Sequence, residues 1–179
     1  MKERDDGGST NVAPSGSMKN PAEAERALFE ERLRFLNTDD FHSFGRKAIT
    51  GTVLSRMRQT RAGGVLVTEE KDGSRLAGIF TERDYLDKLA GDPAGQDRPI
   101  EEFMTASPRC LSPDNSVADA IRLMTDGGYR HIPLIEAGQG IAGMVSVRHI
   151  MVFISEHFAE EIFNLPPVLD QRISTQEGG

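Results

Sequence analysis

The sequence predicts a mixed α/β fold made of two copies of one unit. Three observations predict it: a helix, strand, turn, strand, helix order that occurs twice, a steady offset between the copies, and a copy size too small to stand alone. In the first copy Ile49, Val53 and Met57 recur at helical spacing. They are followed by Val65, Leu66 and Val67, a polar turn from Glu69 to Ser74, a strand from Leu76 to Phe80, and a short helix with Tyr85, Leu86 and Leu89. The second copy has Val117, Ala120, Ile121 and Met124 on one helical face, then Ile132 to Ile135, a turn from Ala137 to Gly140, and Ile141 to Val145. Its last helix holds Ile150, Ile154, Phe158 and Ile162. An offset of 67 lays Val53 on Ala120, Met57 on Met124 and Val67 on Leu134, and after a shorter turn Gly78 falls on Gly143 at 65. Each copy spans about 50 to 60 residues, too few to bury much of its own surface, so the two are expected to share a core.

The remaining elements follow in chain order. Residues 1–18, rich in glycine and serine, are expected as a disordered tail. Over 19–40, Pro21 suits a first helical turn, and Ala24, Leu28, Phe35 and Leu36 form a stripe on a helix reaching Leu36. Asn37 to Asp40 then stop it. The first copy occupies 41–90, and 91–98 is an exposed linker, since Gly91 to Pro99 contains two prolines and two glycines. The second copy occupies 99–155. It opens with a helical turn from Pro99 to Thr105 and an extended Arg109-Cys110-Leu111, after which Pro113, Asp114 and Ser116 cap the helix at Val117. Residues 156–179 finish the last helix, which Pro166 and Pro167 should end near Asn164, and form a tail.

The 179 residues carry 21 Lys plus Arg against 28 Asp plus Glu, a net charge of -7. That argues against a nucleic-acid partner gripped by bulk charge, yet leaves room for a local pocket of two or three cations. No apolar stretch approaches the roughly 18 residues of a membrane span, and no signal-peptide core is present, so a soluble cytoplasmic protein without a membrane partner is expected. Cys110 is the sole cysteine, which excludes an intrachain disulfide and a thiolate-rich metal site. His42, His131, His149 and His157 have no zinc-type spacing, and no glycine-rich triphosphate loop occurs. Binding without catalysis is the economical expectation, with no resident cofactor.

The segments MTASPRCLSPDNSVADAIRLM, GGYRHIPLI and GIAGMVSVRHI of the second copy, with GGVLV and LAGIFTERD of the first, resemble a tandem cystathionine-beta-synthase (CBS) domain pair, also called a Bateman module. The closing EHFAEEIFNLPP is similar to small stand-alone bacterial members. The resemblance implies two halves, each a three-stranded sheet with two helices, packed about a pseudo-twofold axis. It also implies clefts for AMP, ADP, ATP or S-adenosylmethionine and assembly into a homodimer. The chain would then be a non-catalytic regulatory module signalling through conformation or assembly, its output passing to a separate protein target or through an altered oligomer. The rival is a structural or interaction protein of the same fold with no nucleotide.

Candidate ligand residues follow from chemistry and this resemblance together. Asp84, after Thr81, resembles the family's ribose-binding aspartate, since a carboxylate accepts two hydrogen bonds from a vicinal diol. The same pair also fits a reciprocal helix-capping box. Ser146 and His149 take the matching places in the second copy, where the aspartate is missing. Arg130, His131 and Arg148 are phosphate candidates, with surface ion pairing as the alternative for the arginines. Val65, Leu66, Ile132 and Pro133 are expected as adenine walls, with Ala48 and Ile49 lining the first cleft from the other side. Arg46 and Lys47 stand where the second copy has Pro113 and Asp114, and would add cations to that cleft or change its shape. The apolar faces Val117, Ile121, Met124 and Ile150, Ile154, Phe158 exceed what one half-domain covers, which favours a homodimer unless the Pro21 to Leu36 helix and the C-terminal segment cover them within one chain.

Overall fold

The computed structural model describes residues 26, 29–36, 38, 40–69 and 75–164, with side chains as far as residue 156. The tail expected over 1–18, the positions Ala24 and Leu28, the turn tip 70–74 and the side chains of Phe158 and Ile162 lie outside the described residues. Among the described residues no helix is long and apolar enough to cross a membrane.

The first half runs β1 (Ser43–Gly45), α1 (Thr50–Thr60), β2 (Gly64–Thr68), β3 (Leu76–Thr81) and α2 (Glu82–Lys88). After a short β4 (Thr105–Ala106), the second half runs α3 (Val117–Gly127), β5 (His131–Glu136), β6 (Gly140–Ser146) and α4 (Val147–Asn164). The internal repeat survives in detail. Helices α1 and α3 are both 11 residues long, and each stops at a left-handed residue whose N–H bonds back to a methionine carbonyl: Arg61 to Met57 and Gly128 to Met124. The register slips at Val67/Thr68 in one half and at Leu134/Ile135 in the other.

Among the described residues the two sheets are unequal, and three matching strands in each half are not seen there. The first sheet has four strands in the order β1-β2-β3-β4, and the second has two, β5-β6. The extended Arg109-Cys110-Leu111 pairs through one parallel bridge between Leu111 and Leu134, at the place where Phe44 pairs with Val67 in the first half. Strand β4 belongs by sequence to the second copy but pairs antiparallel with β3 of the first. A smaller reciprocal contact runs the other way, where the Met144 N–H bonds to the Thr38 carbonyl at 3.4 Å. The halves therefore exchange edge segments. Of the helical turn expected from Pro99 to Thr105, only Ile100–Glu102 is helical, and Thr105 is already strand.

Glycine permits that exchange. A methyl group on Gly78 would lie 2.7 Å from the Thr105 carbonyl oxygen, and one on Gly143 would lie 2.8 Å from the Thr38 hydroxyl. Only a bare Cα lets backbones pass this closely.

The N-terminal helix does not reach Leu36. Arg32 and Leu36 are extended, and Leu33–Phe35 form a single tight turn. The cause is tertiary. The Leu33 N–H bonds to the Asn115 carbonyl at 2.9 Å and the Val117 N–H to the Glu31 carbonyl at 2.9 Å, so the segment docks on the start of α3 instead of continuing as a helix. Leu33 is wholly buried, while Phe35, assigned to the apolar stripe, is 68% exposed. Leu33 and Leu36 join Val117, Ala120, Met124, Ile132, Leu134, Val145, Ile150 and Phe153 in the second core. Thus Val117, Met124 and Ile150 are covered within one chain, and Ile121 and Ile154 pack partly against them. A matching core in the first half gathers Val53, Met57, Val65, Val67, Phe80, Leu89, Ile100 and Phe103. Leu66, Ile79 and Met144 form a third cluster. The linker expected to be exposed holds a helical turn, Pro93–Asp97, with Gly95 buried.

Candidate functional site

Both strand-to-helix junctions, β3 to α2 and β6 to α4, build the same device from different side chains. At the first, the Thr81 N–H and hydroxyl donate to Asp84 Oδ2 at 2.9 and 2.7 Å, and the Asp84 N–H reaches the Thr81 hydroxyl at 3.4 Å. Lys88 Nζ and the Thr105 hydroxyl donate to Asp84 Oδ1 at 2.7 and 2.9 Å. The capping box is therefore formed, and four donors fill the roughly four acceptor positions of a carboxylate. Asp84 is 7% exposed. Burial alone would raise its pKa, but the hydrogen bonds from Lys88, Thr81 and Thr105 prevail and hold it below the usual carboxylate value.

At the second junction His149 does the work of the missing aspartate. Its Nδ1 accepts the Ser146 N–H at 3.2 Å, while its own N–H reaches the Ser146 hydroxyl at 3.3 Å. An acceptor at Nδ1 places the ring proton on Nε2, which lies 3.2 Å from Asp40 Oδ1.

Two cavities open beside these junctions, each lined by both halves. The larger, about 260 Å³, is bounded by Asp40, His42, Arg61, Gly63, Met144, Ser146, Arg148 and His149. The smaller, about 120 Å³, is bounded by Ile79, Thr81, Glu82, Arg83, Asp84, Thr105 and Tyr129. Gly63, Arg130 and His131 line both. His131 is packed so close to Gly63 that a methyl there would sit 2.9 Å from its Cε1. Burial, and secondarily the Arg130 charge, push the His131 pKa below its ordinary value. Arg61, Arg130 and Arg148 have no carboxylate partner among the described residues, and Asp40 is the one carboxylate lining the larger cavity.

The predicted site residues thus divide. Thr81 and Asp84 line the smaller cavity, Ser146, Arg148 and His149 the larger, and Arg130 and His131 both. Val65, Leu66, Ile132 and Pro133 are buried in the packed sheets and line neither. Ala48 and Ile49 also stand away from both: the Ala48 carbonyl accepts the Ile100 N–H at 2.9 Å, and Ile49 bridges to Pro99. Arg46 binds Glu69 and Glu101 at 2.6 Å each, and Lys47 pairs with Glu101. These cations tie the Ile100–Glu102 turn to the first half. Arg61 and Gly63 are not among the predicted ligand residues, although shifting Gly128 and Arg130 back by the repeat offset of 67 lands on them. Asp40 carries no comparable signal. Among the described residues no three His, Cys, Asp or Glu side chains are grouped to hold a metal ion.

The model of the CBS domain matches the chain twice, over residues 36–91 and 100–156. Among curated proteins, CBS domain-containing protein CBSX3, mitochondrial, from Arabidopsis thaliana is 33% identical over 112 residues, 61% of this chain and 54% of that protein. An uncharacterized 17.7 kDa protein of Acidianus ambivalens is 32% identical over 94 residues, 52% and 55% of the two chains. The chain spans about half the length of these relatives. Among solved structures, a CBS-domain protein of Agrobacterium tumefaciens has TM-score 0.60 at 26% identity, covering 68% of this chain and 96% of that one. CBSX2, solved in complex with AMP, has TM-score 0.59 at 19% identity, covering 70% and 96%, a likeness of fold alone.

Proposed function

The chain belongs to the CBS-domain family, with two copies of the domain in tandem, and on that premise we propose that it is a regulatory module binding an adenosine-containing ligand between its halves. AMP, ADP and ATP are the favoured ligands, with S-adenosylmethionine next. CBS domains are characteristically non-catalytic. The units of this reading are 41–90 and 99–155, and its output passes to a separate protein or through assembly of two copies. The observation that carries it is the pair of inter-half cavities meeting at Arg130 and His131, one lined by Thr81 and the buried Asp84.

In this reading Asp84 takes a ribose diol as ligand hydroxyls replace those of Thr81 and Thr105, while Arg130 takes phosphate. A nucleotide seated between the halves favours whichever packing it binds better, and that difference in affinity is the regulatory signal.

Thermal melts and calorimetry with AMP, ADP, ATP and S-adenosylmethionine test the proposal. At least one ligand should raise the melting temperature, and Asp84→Asn should weaken it by about tenfold or more, the loss expected for a hydrogen bond to a charged group. A melting temperature indifferent to millimolar amounts of all four would instead support the structural or interaction role. Light scattering over a range of concentrations tests the homodimer, which a concentration-independent monomer would exclude.

A further inference from the structure

We propose that Asp84 is a two-position latch: without ligand it holds the segment that crosses between the halves through the Thr105 hydroxyl, and a ligand hydroxyl that takes the Thr105 position releases β4 from β3. The inference rests on the nucleotide reading above and adds how occupancy of the smaller cavity is passed on.

Asp84 has its acceptor positions filled from within the fold. On Oδ2 the donors are local, the N–H and hydroxyl of Thr81 that cap the same helix. On Oδ1 they concern the chain that leaves the first half. Thr105 donates from β4 itself at 2.9 Å, and Lys88 donates from α2 at 2.7 Å while also reaching the Phe103 carbonyl at 2.7 Å. A buried carboxylate with no open position accepts a ligand hydroxyl only by giving up a donor. Thr81 and Lys88 belong to one helix and its cap, so Thr105 is the donor that can leave without unwinding a helix.

Strand β4 is lightly held. It is two exposed residues at the edge of the sheet, paired with Gly78 and Ile79 of β3, and beyond it the Ser107 N–H reaches the Ala77 carbonyl at 3.3 Å. The chain is anchored on both sides. Ile100 and Phe103 are buried in the first core, and Leu111 is bonded to the Pro133 carbonyl and the Ile135 N–H of the second sheet. Residues 104–110 therefore join one core to the other, and Ser107 among them holds a left-handed φ of 48°, which costs a residue with a side chain. Local opening is cheapest where few buried contacts oppose it. Releasing β4 lets Ser107 relax and frees the span to follow a change in packing between the halves. Because the ligand displaces Thr105, its affinity depends on the fraction of molecules with the latch open, and binding raises that fraction.

Amide hydrogen exchange of the full chain with and without AMP tests this, together with AMP calorimetry on wild type, Thr105→Val and Thr105→Ser. AMP should speed exchange at Thr105, Ala106 and Ser107 by about tenfold or more, the order expected for loss of a hydrogen bond to a charged group, and should not speed it in α1. Thr105→Val removes the competing hydroxyl, so it should tighten AMP by about tenfold and show fast exchange at Ala106 and Ser107 before AMP is added. Thr105→Ser keeps the hydroxyl and should bind as wild type does. The sign is decisive, since a threonine that contacted the ligand would lose affinity with its hydroxyl. AMP that binds without speeding exchange at 105–107, or that binds Thr105→Val no better than wild type, would overturn the latch and leave the nucleotide module standing. No AMP binding to wild type would overturn both. Circular dichroism confirms that the variants fold, and the exchange comparison on wild type needs no variant.

Discussion

Arg61 and Gly128 hold the same left-handed position at the ends of two equivalent helices, with φ of 56° and 64° and the same bond back to a methionine carbonyl. Glycine adopts this conformation without strain, whereas a side chain costs roughly 1–2 kcal/mol. One copy has the favoured residue and the other keeps an arginine that lines the larger cavity. Strain retained beside a cavity is a recurring mark of function.

Arg61→Gly should therefore stabilise the chain by about 0.5–1 kcal/mol in denaturant unfolding. The same change should weaken AMP at the larger cavity, because it removes one of the three guanidiniums. A gain in stability with undiminished affinity would show that Arg61 is only a poor helix cap.

His131 provides a pH test. Its pKa is depressed in the folded chain, by burial first and by Arg130 second, while Glu82 opposes and His149 adds to the shift. The unfolded chain therefore takes up the proton first as pH falls. The stabilisation is complete above the ordinary value near 6.5 and is lost below it, down through the folded pKa. Melting temperature should fall between pH 7 and pH 5, and His131→Gln should flatten that slope. Phosphate bound at Arg130 should raise the His131 pKa, which NMR titration with and without AMP would detect.

Gly78→Ala should destabilise the chain by about 1–3 kcal/mol, the usual cost of forcing an atom into a packed site. The obstacle is the Thr105 backbone together with Met104, so a simple rotamer change does not relieve it. Gly91→Ala is the control, since nothing lies within 4 Å of the added methyl. Equal midpoints for the two variants would refute the close crossing of β3 and β4.

Leu33→Ala should cost about 2–5 kcal/mol, as for other buried leucines. Phe35→Ala, at a residue 68% exposed, should change stability little. The contrast checks that the segment before the first copy belongs to the second core, and comparable losses would return Phe35 to the buried face.

The helices and long strands were legible because each carries its own period. Val53 and Met57, or Val117, Ala120 and Met124, show their buried face in the spacing itself, and all are buried. Thr81 with Asp84 was legible as a motif with two meanings, and the structure forms the capping box. What could not be read was short or distant. A two-residue strand such as β4 has no period, and the bridge at Leu111 is one residue wide. Leu33 was hidden because docking on Asn115 and Val117 outweighed the helical preference of its own segment.

By itself the order of residues settled the duplication, the family resemblance and the chemical types near the junctions, since all of these are local or recur at a constant interval. The tertiary structure alone decided which edge crosses to which sheet, that Arg130 and His131 stand between two hollows, and that Asp40 meets His149 across 109 positions of chain. Those outcomes depend on how two small halves bury their remaining surface against each other. That is a property of packing between distant segments, and no local pattern encodes it.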